Sequence, residues 1–242
     1  MHTYFISDLH LTPERPHITQ AFFEFLQRIS AEEKPADKLF ILGDLFEFWI
    51  GDDAAGMLGA DLILDKMKLI SQTIDGYFIA GNRDFLVRAG FTERTGFTVL
   101  ADETVVDLYN TQTLLLHGDS LCTDDTAHQQ FRQQMMTNKE FCDHFLALPI
   151  PHRIEQAKQA RMQSDEHKSQ VSMGIMDVTE AAVINTFSKH KVTQMIHGHT
   201  HRQATHQYND NTLTRIVLGD WDTTSSILRI DAQGATIENL AI

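Results

Sequence analysis

The sequence predicts an α/β fold of two packed sheets flanked by helices, and three observations carry that prediction. Short β-branched or aromatic runs that end in Gly, Asp or Asn alternate with helical patterns through the first half of the chain. The C-terminal third is richer in strand-like runs, which favours two sheets over a single doubly wound one. One stretch, 126–170, lacks strand signals and reads as a helical insertion.

Strands are expected at 3–7, 38–42, 76–80, 104–108, 113–116, 194–196, 213–218 and 226–230. A first helix is predicted where Ile18, Phe22, Phe25, Leu26 and Ile29 share one face, and a second where Leu62, Met67, Leu69 and Ile70 do. Asp177 fits the N-cap of a helix running to His190, with Glu180 at capping-box spacing. In the insertion, Phe131 with Met135, then Phe141, Phe145 and Leu148, give the helical pattern, and Pro149 with Pro151 divides it into two pieces. It carries six Lys or Arg against five Asp or Glu, in a chain whose net charge is −13. A lid over a site fits this stretch; so does an amphipathic hairpin that completes the core.

At 242 residues the chain suits one large domain, 1–242, carrying the insertion within it. Its acidity argues against a nucleic-acid partner, which needs a basic face. Cys122 and Cys142 form no CxxC pair and are expected to be reduced. No leader-like N-terminus is visible, and apolar runs fall far short of the ~20 residues that span a bilayer. A cytoplasmic protein is expected.

Five islands rich in Asp, Asn and His follow strand-like runs: Asp8-Leu9-His10, Gly43-Asp44, Gly81-Asn82-Arg83-Asp84, His117-Gly118-Asp119 and Gly198-His199-Thr200-His201. Each alone is weak, since Gly-Asp after a strand is usually a turn. Together they offer seven ligands, Asp8, His10, Asp44, Asn82, His117, His199 and His201, enough for two ions that share one carboxylate. Residues at i and i+2 of an extended chain face the same way, so Asp8 with His10 and His199 with His201 can each aim at one ion. Burying such polar groups is costly unless something compensates them, and a dinuclear centre does so. His197 reads as buried support, and Asp84 and Asp119 as orienting groups outside the ligands.

This ordered set resembles the calcineurin-like metallophosphoesterase superfamily, whose signature runs D-x-H, G-D, G-N-H, H-G-D and G-H-x-H. The resemblance spans Asp8 to His201 and implies a metallophosphoesterase-type αββα sandwich. It implies that Asp8, His10, Asp44 and His201 hold one ion and that Asp44, Asn82, His117 and His199 hold the other. Two departures stand out. Glu47 occupies a place where Asp is frequent, and Arg83 the place of the usual catalytic His.

Arg83 exchanges a group that titrates near neutrality for a permanent cation with forked donors. A leaving phosphomonoester needs no proton, because its second pKa is already ~6. Arg therefore suits phosphoanhydride cleavage, where charge on non-bridging oxygens is stabilised. With it, the strings ILGDLFEFWIGDD, GNRDFL, HGDSLCTDD, IMDV and HGHTHR look like the UDP-2,3-diacylglucosamine diphosphatase family of the lipid A pathway. That likeness implies cleavage of the pyrophosphate of a lipid-linked UDP-sugar to 2,3-diacylglucosamine 1-phosphate (lipid X) and UMP. It also implies two Mn²⁺, metal-activated water as the nucleophile, and peripheral contact with the inner membrane. Asn82, Arg83 and His199 take catalytic roles in this reading. Asn82, Arg83, Asp125, Arg161, Ser164, Lys168 and His199 contact substrate, and Phe141, Phe145 and Leu148 shelter acyl chains. Lys168 and Val171 depart from the family, which places another polar residue and a Lys there. Competing readings are another phosphoesterase acting on nucleotides or phosphoproteins, and a non-catalytic scaffold of the same fold. Oligomeric state is left open.

Overall fold

The computed structural model describes residues 2–31, 36–170 and 175–242, and the side chains of all of these but 163–170. The first half alternates β1 (His2–Ile6), α1 (Pro16–Ala31), β2 (Lys38–Leu42), α2 (Asp61–Ile70), β3 (Asp75–Ile79), α3 (Ala89–Thr95) and β4 (Thr98–Val99). There follow β5 (Thr104–Leu108), β6 (Thr111–Leu115), α4 (Thr126–Phe131), α5 (Lys139–Ala147), α6 (Ile150–Gln170) and α7 (Glu180–His190). The chain ends with β7 (Gln194–His197), β8 (Ala204–Tyr208), β9 (Leu213–Val217), β10 (Thr224–Asp231) and β11 (Gly234–Ala241).

Two mixed sheets result, ordered β11-β10-β1-β2-β3-β4 and β5-β6-β7-β9-β8. Strands β1 to β4 run parallel, as do β6, β7 and β9. Alternation along the central strands explains the packing. Tyr4 and Ile6, Leu39 and Ile41, and Phe78 face the helical layer that includes α1 and α2. Phe5, Phe40, Leu42 and Ile79 face the other sheet, where they meet Leu115, Ile196 and Ile216. Leu114 and Met195 turn outward onto Val183 and Phe187 of α7. Both faces of each central strand are buried, which is why these runs read as continuously apolar. The order of layers is helix, sheet, sheet, helix, as the sequence predicts.

The differences have physical causes. In α1 the expected stripe is the buried one, but in α2 Leu62 and Leu69 are 57% and 60% exposed, while Ile63, Leu64, Met67 and Ile70 are buried. The cap of α7 is Thr179, whose hydroxyl accepts from Ala182 N; Asp177 pairs with Arg202 instead. Strands β4, β8 and β11 escape sequence reading because they are sheet edges with little apolar alternation. In the insertion a π turn over Arg132–Met136 and the Asn138 cap of α5 add a break that the two prolines do not signal. Pro151 lies in the first turn of α6, where proline is tolerated. Phe145 is spent on the main core with Cys142, and Phe141 and Leu148 pack against that core. Phe145 is therefore not a surface for acyl chains. Both cysteines are buried and free. Among the described residues no helix is long and apolar enough to cross a membrane.

Candidate metal centre

The five islands follow the C-terminal ends of β1, β2, β3, β6 and β7, so both sheets deliver them to one edge. The local backbone is not the extended one expected from i, i+2 spacing. Asp8, His10, Asp44, His199 and His201 have φ of 57°, 49°, 52°, 67° and 58°. Five of the seven candidate ligands thus occupy the left-handed region, at a cost of roughly 1–3 kcal/mol each. Surrounding hydrogen bonds hold them there: Asp8 N donates to Gly43 O (3.1 Å), His10 N to Asp44 O (3.0 Å) and His199 N to Asp8 Oδ2 (2.9 Å). The islands approach closely only because glycines separate them. A Cβ on Gly43 would lie 2.5 Å from His117 Nδ1, and one on Gly198 would lie 2.2 Å from Asp8 Oδ2.

Two clusters form. Ligand atoms of Asp8, His10 and His201 all lie within 4.8 Å of one another, and so do those of Asp8, Asp44 and His117. His10 Nε2 faces His201 Nε2 at 3.5 Å, and His201 Nε2 is 3.3 Å from Asp8 Oδ1. Asn82 Oδ1 stands between His117 Nε2 (3.1 Å) and His199 Nδ1 (3.0 Å). Two of the other ring nitrogens face acceptors. His117 Nδ1 donates to Leu42 O at 2.8 Å, and His201 Nδ1 is 3.2 Å from Asp220 Oδ2. Asp84 acts on the backbone: its carboxylate accepts from Gly81 N (2.7 Å), Leu45 N (2.8 Å) and Asp44 N (3.3 Å), tying the second island to the third.

The electrostatics are those of buried carboxylates and imidazoles held against one another. Burial pulls His117 and His201 down. The charges of Asp44 and Asp8 nevertheless lift His117 to about 9, while Asp220 and Asp8 lift His201 to about 10. Burial raises Asp8, but His201, His117 and His10 outweigh it and hold the carboxyl below its usual range. Burial and the charge of Asp44 push Asp84 up to about 7. His199 is held well below its ordinary value, first by burial and then by His117. Asp8 Oδ1 and His10 Nδ1 are buried without hydrogen-bond partners. Oxygen and imidazole donors with orphaned atoms among them fit divalent first-row ions.

The other predicted residues divide. Arg83 lies at the rim, its backbone amide donating to Asp44 Oδ1 at 2.8 Å and its Nε buried without a partner. Among the described residues no carboxylate pairs with its guanidinium, and the neighbouring Asp84 is taken by amides. His197 is no ligand: Nδ1 donates to Gly198 O and Nε2 accepts from Arg215, both below the surface. Asp119 holds Arg132 (2.9 Å) and faces His128 (3.4 Å), so it orients the insertion rather than a ligand. Asp125 caps α4, accepting from His128 N at 3.0 Å. Arg161 Nε lies 2.6 Å from Glu47 Oε1, beside the first cluster. The side chains of Ser164 and Lys168, and Val171 altogether, lie outside the described residues. Sequence reading missed His128, whose ring centroid is 5.3 Å from that of His199, and Asp220. Asp220 follows β9 in a Gly-Asp pair like that after β2, a signal that could have flagged it.

Residues 1–203 match the model of the calcineurin-like phosphoesterases. The chain belongs to that family, whose members are dimetal-dependent hydrolases. It is 46% identical over its whole length to all of the UDP-2,3-diacylglucosamine hydrolase of Xanthomonas campestris pv. campestris (strain B100). It shares the same identity, over 99% of that protein, with the UDP-2,3-diacylglucosamine hydrolase of Stenotrophomonas maltophilia (strain R551-3). An archaeal phosphodiesterase superimposes over 100% of both chains with a TM-score of 0.53 at 11% identity, a likeness of fold alone.

Proposed function

We propose that the chain hydrolyses the pyrophosphate bond of UDP-2,3-diacylglucosamine, giving 2,3-diacylglucosamine 1-phosphate and UMP. The observation that carries this reading is Arg83, a cation without a described carboxylate partner, held by its own amide against Asp44 of the second ligand cluster. Full-length similarity to hydrolases of that name supports the substrate.

Asp8, His10, Asp44 and His201 would hold one ion and Asp44, Asn82, His117 and His199 the other, and manganese suits this donor set. When bound, the ion pair supplies a water of lowered pKa and Lewis-acid stabilisation of phosphoryl oxygens. Arg83 binds a non-bridging oxygen and stabilises the charge that builds there. Asn82 would offer the second ion its Oδ1, the atom that stands between His117 Nε2 and His199 Nδ1, and His199 contacts the phosphoryl group. Because the leaving lipid phosphate needs no proton, the absence of a His at position 83 costs nothing in this reaction.

Residues 126–170 serve as a lid within one domain, 1–242. His128 against His199 and Arg161 beside Glu47 support that role. Asp125, Arg161, Ser164 and Lys168 would meet the headgroup. A diacylated substrate places the protein at the cytoplasmic face of the inner membrane, in peripheral contact. A panel of UDP-2,3-diacylglucosamine, simple nucleotide diphosphates and phosphodiesters, assayed with Mn²⁺, tests the reading. Selective release of UMP is expected; preference for a phosphodiester would overturn it.

A further inference from the structure

Glu47 lies where the loops after β1 and β2 run together. His10 N donates to Asp44 O (3.0 Å), Leu11 N to Leu45 O (2.8 Å) and Glu47 N to Leu11 O (3.1 Å). These bonds fix the Glu47 backbone beside His10. Its Oε2 is 3.6 Å from His10 Nδ1, the buried nitrogen without a hydrogen-bond partner. Its Oε1 is 2.6 Å from Arg161 Nε on α6, as one of the contacts that Arg161 makes. Eight residues earlier, on the same face of α6, buried Arg153 donates to Ile50 O (2.6 Å) and Asp53 Oδ1 (2.8 Å). Helix α6 is therefore pinned twice to the loop after β2, once at its base and once beside the first ligand cluster.

We propose that Glu47 is a positioning residue: it orients His10 through Nδ1 and, by holding Arg161, couples the docking of α6 to ion binding at Asp8, His10 and His201. The inference rests on the metal reading above. A ligating imidazole whose second nitrogen donates to a carboxylate has its tautomer and ring plane fixed. The reach of Glu, one methylene longer than Asp, lets a single carboxylate serve His10 and Arg161 from this backbone position. Coupling of this kind is reciprocal: an ion that tightens His10 onto Glu47 favours the docked helix, and the docked helix favours the ion.

The test combines Mn²⁺ titration by calorimetry with hydrogen–deuterium exchange over 150–162. For the wild-type chain, Mn²⁺ should slow exchange along α6. Glu47→Ala should weaken Mn²⁺ binding about 10- to 100-fold, the usual range for such partners. Arg161→Ala, which removes the hold of α6 on Glu47 and alters no candidate ligand, should weaken it severalfold and abolish the slowing. Glu47→Gln, which keeps an acceptor for Nδ1 but not the charge, should recover most of the affinity and not the slowing. Mn²⁺ affinities within twofold of wild type in Glu47→Ala and Arg161→Ala would overturn the proposal and leave the metal reading intact. A wild-type chain that takes up no Mn²⁺ would overturn both.

Discussion

The backbone amide of Arg83 donates to Asp44 Oδ1 at 2.8 Å, so the rim cation is suspended from the carboxylate expected to serve both ions. Trp49 N closes the loop from the other side by donating to Arg83 O at 2.9 Å. Both bonds use main-chain atoms, so truncating the side chain leaves them in place. Arg83→Ala should lower turnover on the order of 10²–10³-fold, the usual cost of losing one oxyanion donor. Metal content, measured by elemental analysis, should stay at the wild-type value. Loss of metal would make Arg83 a structural residue instead.

The carboxylates around His117 and His201 lift these rings to about 9 and about 10 when no cation is present. Below those values both imidazoles hold a second proton. An ion that takes His117 Nε2 and His201 Nε2 must displace those protons, so uptake at neutral pH should release them. Affinity should then rise with pH until each ring's raised pKa is passed, and fall as pH drops. Calorimetry in buffers of different ionisation enthalpy reads the proton count, and uptake without proton release would contradict this account.

Gly43 has φ of 89°, and a Cβ there would meet His117 Nδ1 at 2.5 Å and the Gly81 backbone at 2.7 Å. Backbone atoms cannot swing aside as a flexible side chain does. Gly43→Ala should cost about 2–3 kcal/mol of stability through strain and steric conflict. Urea denaturation checks this, and a loss below the precision of the method would mean that the islands are loosely joined.

Hydrolysis in ¹⁸O-labelled water reports the point of attack. With Arg83 and His199 on the phosphoryl group that becomes UMP, the heavy oxygen should appear in UMP by mass spectrometry. Label in the lipid phosphate would place the attack on the other phosphorus.

The convergence of the five islands was legible because the types of donor and their order survive in sequence, even though their geometry does not. The left-handed backbone of Asp8, His10, His199 and His201 is set by hydrogen bonds from loops far away in the chain, such as Asp8 to Gly43. Spacing alone suggested an extended path to the same result. The αββα layering was legible because central strands buried on both faces are apolar throughout. Edge strands β8 and β11 were not, since solvent on their faces removes that pattern. The roles of Glu47 and Asp220 were hidden for another reason: each depends on a partner supplied by tertiary contact, Arg161 with His10 in one case and His201 in the other.

The most direct measurement follows UMP release from UDP-2,3-diacylglucosamine by the purified chain, before chelation, after it, and after Mn²⁺ is returned. The account predicts that turnover vanishes on chelation and recovers as two ions per chain are restored. Undiminished turnover in the stripped protein would contradict it.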